Sequence, residues 1–116
     1  MAQRAKIDIN VYQGDDRNYT FNVVDSAGAA VDYSSAGAVV LTVKTTIDDT
    51  SALFTSSATD SANGNNWASG IIVIAITDAQ SALLTQDSVY DLEVTDSGGL
   101  VTTVCYGVVF VRRDIG

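Results

Sequence analysis

The chain has 116 residues, 47% apolar and 17% charged, with six basic residues against 14 acidic ones, no histidine and a formal charge of -8. That length supplies one domain, 1–116, with its own core, and the apolar fraction excludes a disordered chain. The acidic balance argues against nucleic-acid binding, because the basic residues form no cluster beyond Arg112-Arg113.

Residues 6–12 alternate, with Ile7, Ile9 and Val11 on one side and Lys6, Asp8 and Asn10 on the other, the period of a half-buried strand. Gln13-Gly14-Asp15-Asp16 is a turn. Residues 17–25 repeat the alternation with Tyr19, Phe21 and Val23 inward, and Asp25-Ser26-Ala27-Gly28 turns the chain again. After a short connection holding Val31 and Tyr33, residues 38–46 form a third strand with Val39, Leu41 and Val43 on one face.

Residues 45–69 form an arm that is polar apart from Ile47, Leu53, Phe54 and Trp67. The expectation is a weak edge strand over 52–58 and then a mobile surface loop over 59–69. Residues 70–77 are apolar on both faces, Ile72, Ile74 and Ile76 against Ile71, Val73 and Ala75. Thr77-Asp78 then predicts a helix N-cap and one short helical turn near 78–85.

The closing hairpin places Tyr90, Leu92 and Val94 inward and crosses a Ser97-Gly98-Gly99 turn. Its second strand is expected to direct Val104, Tyr106, Val108 and Phe110 to the core, leaving Cys105, Val109 and Val111 on the outer face. About seven strands, with turns every 8–12 residues or so, predict an all-β antiparallel sandwich or small barrel.

Candidate chemistry is sparse. The lone Cys105 sits in an apolar run and is expected to be a buried, inert thiol, with no partner for a disulfide and no second Cys or His for a zinc site. The segment from Asp60 to Asn66 crowds oxygen ligands around Gly64, but Ile71 stands where a calcium loop needs its bidentate Glu. Asp15-Asp16 and Asp48-Asp49 are adjacent pairs, which on strands would point apart rather than share a substrate. Without histidine the common nucleophilic triad cannot be built, and a Ser-Lys pair would need Lys6 or Lys44 from exposed faces. Asn18-Tyr19-Thr20 matches a glycosylation sequon, read as accidental because the N-terminus lacks an apolar signal region. No apolar run reaches the ~20 residues of a membrane-spanning helix. The reading is therefore a non-enzymatic protein with no cofactor, no metal, no nucleic acid and no membrane partner.

Two binding readings remain. Trp67 with Tyr12 and Tyr33 could form a sugar-stacking platform, or each could pack inward. Ile71, Val73, Val109 and Val111 would mark an interface if their faces are open, unless the helical turn or the N-terminal segment covers them.

The opening strand into Gln13-Gly14-Asp15, the run YTFNVVDSAGAAVDYSSAGAVVLTVKT (19–45), GIIVIAITDAQSALL (70–84) and the hairpin YDLEVTDSGGLVTTVCYGVVFV (90–111) together resemble small immunoglobulin-like domains of tailed-phage virion proteins. Among these are the N-terminal domain of baseplate upper proteins and short stand-alone virion proteins. The Asn-rich arm at 45–69 is a departure from their pattern. The resemblance implies an immunoglobulin-like sandwich and a structural role in a virion assembled in the host cytoplasm. It also implies homo-oligomers docked on capsid, tail or baseplate proteins. On that expectation Leu53, Phe54 and Trp67 anchor the arm on a neighbouring subunit, with Ile71, Val73, Val109 and Val111 as the apolar strand faces. The alternative is a carbohydrate-binding or adhesion module using Trp67 and exposed tyrosines.

Overall fold

A computed structural model describes residues 5–112; Arg113, the second member of the only basic pair, lies outside the described residues. Strict alternation of apolar and polar side chains produces most of the strands. In chain order they are β1 (Ala5–Lys6), β2 (Ile9–Tyr12), β3 (Arg17–Asn22), β4 (Ala38–Lys44), β5 (Phe54–Ala58), β6 (Ile71–Ile76), β7 (Ser88–Thr95) and β8 (Val101–Arg112). A 3-10 turn, Trp67–Ser69, precedes β6, and a single α-helical turn, α1 (Asp78–Ser81), follows it.

The strands form two sheets. One runs β1-β8-β7-β4-β5, with β2 also on β8; the other is the pair β3-β6. A sheet centred on β4, β7 and β8 that faces a β3-β6 pair has the immunoglobulin arrangement of C, F and G strands against B and E. The fold is thus an all-β sandwich. Its pairing is antiparallel except at one edge, where β1 and β2 run parallel to β8. Those two strands are halves of one edge, interrupted at Ile7–Asp8, which reconciles the eight strands found with an expected seven or so.

The core lies between the sheets. Val39, Leu41 and Val43 of β4, Leu92 of β7 and Phe21, Ile72 and Ile74 from the facing pair are all within it. Two seams between the sheets are stitched by single hydroxyls. Ser56 Oγ donates to the Ala75 carbonyl (2.6 Å) beside β6, and Tyr19 Oη donates to the Asn10 carbonyl (2.8 Å) between β3 and β2.

Two short motifs turn out to be architectural. In the Gln13–Asp16 turn, Gln13 Nε2 donates to the Leu84 carbonyl, Gly14 N to Ser81 Oγ, and Asp16 Oδ1 accepts from Asp78 N. The turn therefore clamps α1, whose N-terminus is closed by a Thr77/Gln80 capping box. The expected N-cap and helical turn are present. The hairpin turns at Asp25 and Asp96 share one chemistry: each Asp Oδ1 accepts two backbone amides, and Gly28 and Gly99 take positive φ.

Strand β8 corrects the expected orientation. Leu92 faces Cys105 but Glu93 faces Thr103, so Val104 is an extra residue, a β-bulge. Because side chains alternate with a period of two, one inserted residue reverses every face beyond it. Cys105 and Val109 are fully buried, and Val111 packs against the core. Tyr106, Val108 and Phe110, expected inward, lie on the outer face.

The bulge also brings Gly107 beneath the break in the edge strand. A Cβ at Gly107 would sit 2.2 Å from the Ile7 carbonyl oxygen, so only glycine admits this crossing. The same carbonyl accepts the Tyr90 hydroxyl. Gly107→Ala is expected to lower the unfolding free energy by about 1–3 kcal/mol through overpacking. In the control Gly37→Ala, where the nearest atom to a new Cβ is 3.6 Å away, a shift within about 0.5 kcal/mol is expected. Urea titration of both variants checks the contrast.

Candidate functional site

The arm at 45–69 folds back on its own domain. Beyond β5, the stretch expected to be mobile is held by hydrogen bonds along the edge of β6 that faces away from β3. Ile71 exchanges backbone bonds with Asn66, both 2.9 Å. At Val73 the partner is a side chain: Asn65 Oδ1 accepts from Val73 N (2.7 Å) and Asn65 Nδ2 donates to Val73 O (3.0 Å). The carboxamide is also bonded to Trp67 Nε1 (3.1 Å) and to the Ala62 carbonyl (2.8 Å). Ser56 Oγ then covers the Ala75 carbonyl, so the edge is held at Ile71, Val73 and Ala75.

This geometry corrects the proposed anchors. Trp67 is 5% exposed and Phe54 9%, both members of the core cluster, and Leu53 packs against it. The Trp67 amide is bonded to Asp60 Oδ1, and its carbonyl accepts from Tyr33 N. Neither an intersubunit anchor nor a sugar platform can use a tryptophan so enclosed. Val73 is buried beneath the arm, its methyl 3.7 Å from the position of a Cβ on Gly64, and Ile71 is half-buried. With Val109 and Val111 turned inward by the bulge, none of the seven nominated residues is fully exposed; Leu53, Ile71 and Val111 are half-buried. The cover over β6 is the arm itself, not the helical turn or the N-terminal segment.

Leu83, Leu100 and Val101 are exposed singly or in pairs, and a grooved apolar surface lies on the outer face of β8 and β7. Register places Lys6, Tyr106, Asp91 and Thr42 in one row across four strands, and Val108, Val89 and Lys44 in the next. Ile47, from the β4–β5 connection and 82% exposed, overhangs these rows. Lys6, Asp91 and Ile47 line, with the neighbouring part of these rows, a groove of about 520 Å³ whose apolar walls are Tyr106, Val108, Val89 and Ile47. Lys6 lies within 3.6 Å of Asp8, whose other carboxylate oxygen accepts from Val108 N. Asp91 Oδ1 is shut from water and has no hydrogen-bond partner among the described residues. Burial pushes its carboxyl above the ordinary carboxylate value, and Lys44 pulls it back only in part. The signal for this face was in the sequence as Tyr106, Val108 and Phe110, but on the wrong side of the strand.

A second groove, about 370 Å³, lies among Val31, Tyr33, Val94, Leu100 and Thr102. Tyr33 Oη is buried there without a hydrogen-bond partner among the described residues, and burial raises the phenol to about 12. Tyr12 is 41% exposed, with the Arg17 guanidinium 5.3 Å from its ring centroid. The paired carboxylates serve turns: Asp16 caps α1, and Asp49 accepts the Thr46 amide and hydroxyl. Among the described residues no group of three or more His, Cys, Asp or Glu could hold a metal, and no helix is long and apolar enough to cross a membrane. Cys105 is buried and its thiol is raised to about 11 by desolvation.

No protein-family model matches this chain. No curated protein matches it. Among solved structures it is similar to the SrpA adhesin of Streptococcus sanguinis, with a TM-score of 0.48 and 11% identity over 98% of this chain. The chain spans 57% of that structure's length.

Two predictions follow from the buried groups. Asn65→Ala strands the Val73 amide and carbonyl, and is expected to cost about 3 kcal/mol with a red shift of Trp67 emission; a urea titration followed by fluorescence reads both. Cys105 and Tyr33 both have raised folded values, so their contribution to stability is full below their ordinary 9.0 and 10.0 and is lost as pH rises through about 11 and about 12. Stability is thus expected to fall from about pH 9 upward, and Cys105→Ala to flatten the first part of that fall in a urea series across pH.

Proposed function

We propose that this chain is a non-enzymatic structural protein of a phage virion. It docks as an oligomer onto capsid, tail or baseplate subunits through the outer face of its larger sheet. The observation that carries the docking reading is the distribution of open apolar surface. Leu53, Phe54 and Trp67 of the arm and Val73 of β6 are covered from within, whereas Tyr106, Val108, Val89 and Ile47 line one groove on the surface. The resemblance of the turn and strand motifs to virion domains supplies the setting.

The mode of contact follows from what the chain has closed. With the outer edge of β6 occupied by Asn65, Asn66 and Ser56, a partner cannot add a strand there by backbone pairing. A sheet face, by contrast, meets a partner with side chains, which supports shape-specific packing between rigid subunits.

Val108→Asp places a charge in the groove while leaving the core and the arm untouched. The expected outcome is a folded chain with a near-normal melting temperature whose incorporation into assembling virions falls by about tenfold or more, the scale of one lost hot spot. Quantifying the chain in purified particles, beside its native mass in solution, tests this. Unchanged incorporation with a monomeric mass in every variant would remove the docking face from consideration.

A further inference from the structure

We propose that the groove on the outer face of β7 and β8 receives the cationic side chain of a lysine or arginine from a partner protein, with Asp91 as its counter-ion. This inference rests on the docking reading and names what the docked surface must present.

The groove is not uniformly apolar. Its walls are Tyr106, Val108, Val89 and Ile47, and one acidic side chain, Asp91, stands among them directly opposite Tyr106 in the ladder. A long basic side chain has that same division, an aliphatic stem and a charged head. The stem packs on Val89, Val108 and Ile47, the head reaches the carboxylate, and the Tyr106 ring offers its face to the cation.

The charge at Asp91 is poorly compensated within the chain. Oδ1 is excluded from water and has no hydrogen-bond partner among the described residues. Asp91 lies diagonal to Lys44, which faces Val89 in the register, yet no ion pair joins the two among the described residues. Lys6, across Tyr106 from Asp91, also lines the groove, and its ammonium lies 3.6 Å from Asp8. Glu93, two residues along β7 on the same face, adds negative charge rather than relieving it. A carboxylate held in this state gains more from an incoming cation than a hydrated surface carboxylate does. The chain's charge of -8 draws basic partners towards it.

The probes are acetylated, amidated Gly-Lys-Gly and Gly-Arg-Gly peptides, with norleucine and citrulline peptides as neutral counterparts. Each is titrated into the full chain and followed by amide nuclear magnetic resonance. Saturable shifts confined to Asp91, Tyr106, Val108 and their neighbours are expected with the cationic peptides and not with the neutral ones. Asp91→Asn is expected to weaken this binding about tenfold and to leave the urea midpoint unchanged or raised, because the carboxylate is under-solvated. Ile47→Ser, on an exposed connection where it cannot unfold the domain, is expected to weaken it a few-fold.

Equal shifts with norleucine, shifts spread over Asp48, Asp49 and Asp60, or binding indifferent to both Asp91→Asn and Ile47→Ser would each overturn the proposal. So would an Asp91→Asn variant that is less stable, which would make the residue structural. If the peptides ignore Asp91 while Val108→Asp still abolishes incorporation into particles, the docking face stands and only the cation pocket fails. If the peptides bind as expected and incorporation is untouched, it is the virion reading that fails.

Discussion

The carboxamide of Asn65 stands in for a missing strand. A β3-β6 pair has too few strands to satisfy its own outer edge, and an immunoglobulin-type sandwich usually continues that sheet with further strands. Here Asn65 presents one acceptor and one donor to Val73, the same pair of groups a backbone residue would offer. Its remaining capacity goes to Trp67 and Ala62, so each of its polar atoms is engaged. The indole is thereby drawn inward and fills the end of the core. Removal of this one side chain would open an edge, release an arm and hollow a core at once.

That arrangement explains why a segment polar enough to look like a surface loop is ordered. Its stability comes from matching the unpaired groups of β6, where every satisfied buried amide or carbonyl avoids a desolvation cost of about 1–3 kcal/mol. Ser56 and Tyr19 apply the same logic at the two seams between the sheets. Both bonds tie the small sheet to a terminal strand of the large one, Ser56 from β5 to β6 and Tyr19 from β3 to β2.

The alternating strands were legible in the sequence wherever the ladder is regular. Val39, Leu41 and Val43, or Tyr90, Leu92 and Val94, are buried as their spacing requires. The failure at β8 has a single cause. The inserted Val104 carries no mark of its own in a run of apolar residues, yet it reverses the orientation of everything after it. Gly107 was the available clue, since a glycine inside a strand signals a bulge or a close backbone approach, and both occur here. Trp67 misled for a different reason. An aromatic stranded among polar residues looks exposed until its polar neighbours are seen bonded to backbone, a tertiary fact that no local pattern encodes.

The same reversal alters the meaning of the hairpin's apolar excess. With Cys105, Val109 and Val111 in the core, the outer face retains Tyr106, Val108 and Phe110, which is more apolar than folding alone requires. Asp91, set among them with an unpartnered oxygen and a raised carboxyl, works against the stability of the isolated domain. Lys44, diagonal to it in the ladder, offsets that cost only in part. The bulge is the device that joins these facts: by turning Cys105 inward it completes the core, and by turning Tyr106 outward it places an aromatic ring across the ladder from Asp91. Core and surface of this hairpin are thus specified by the position of a single extra residue, and neither could be changed without the other.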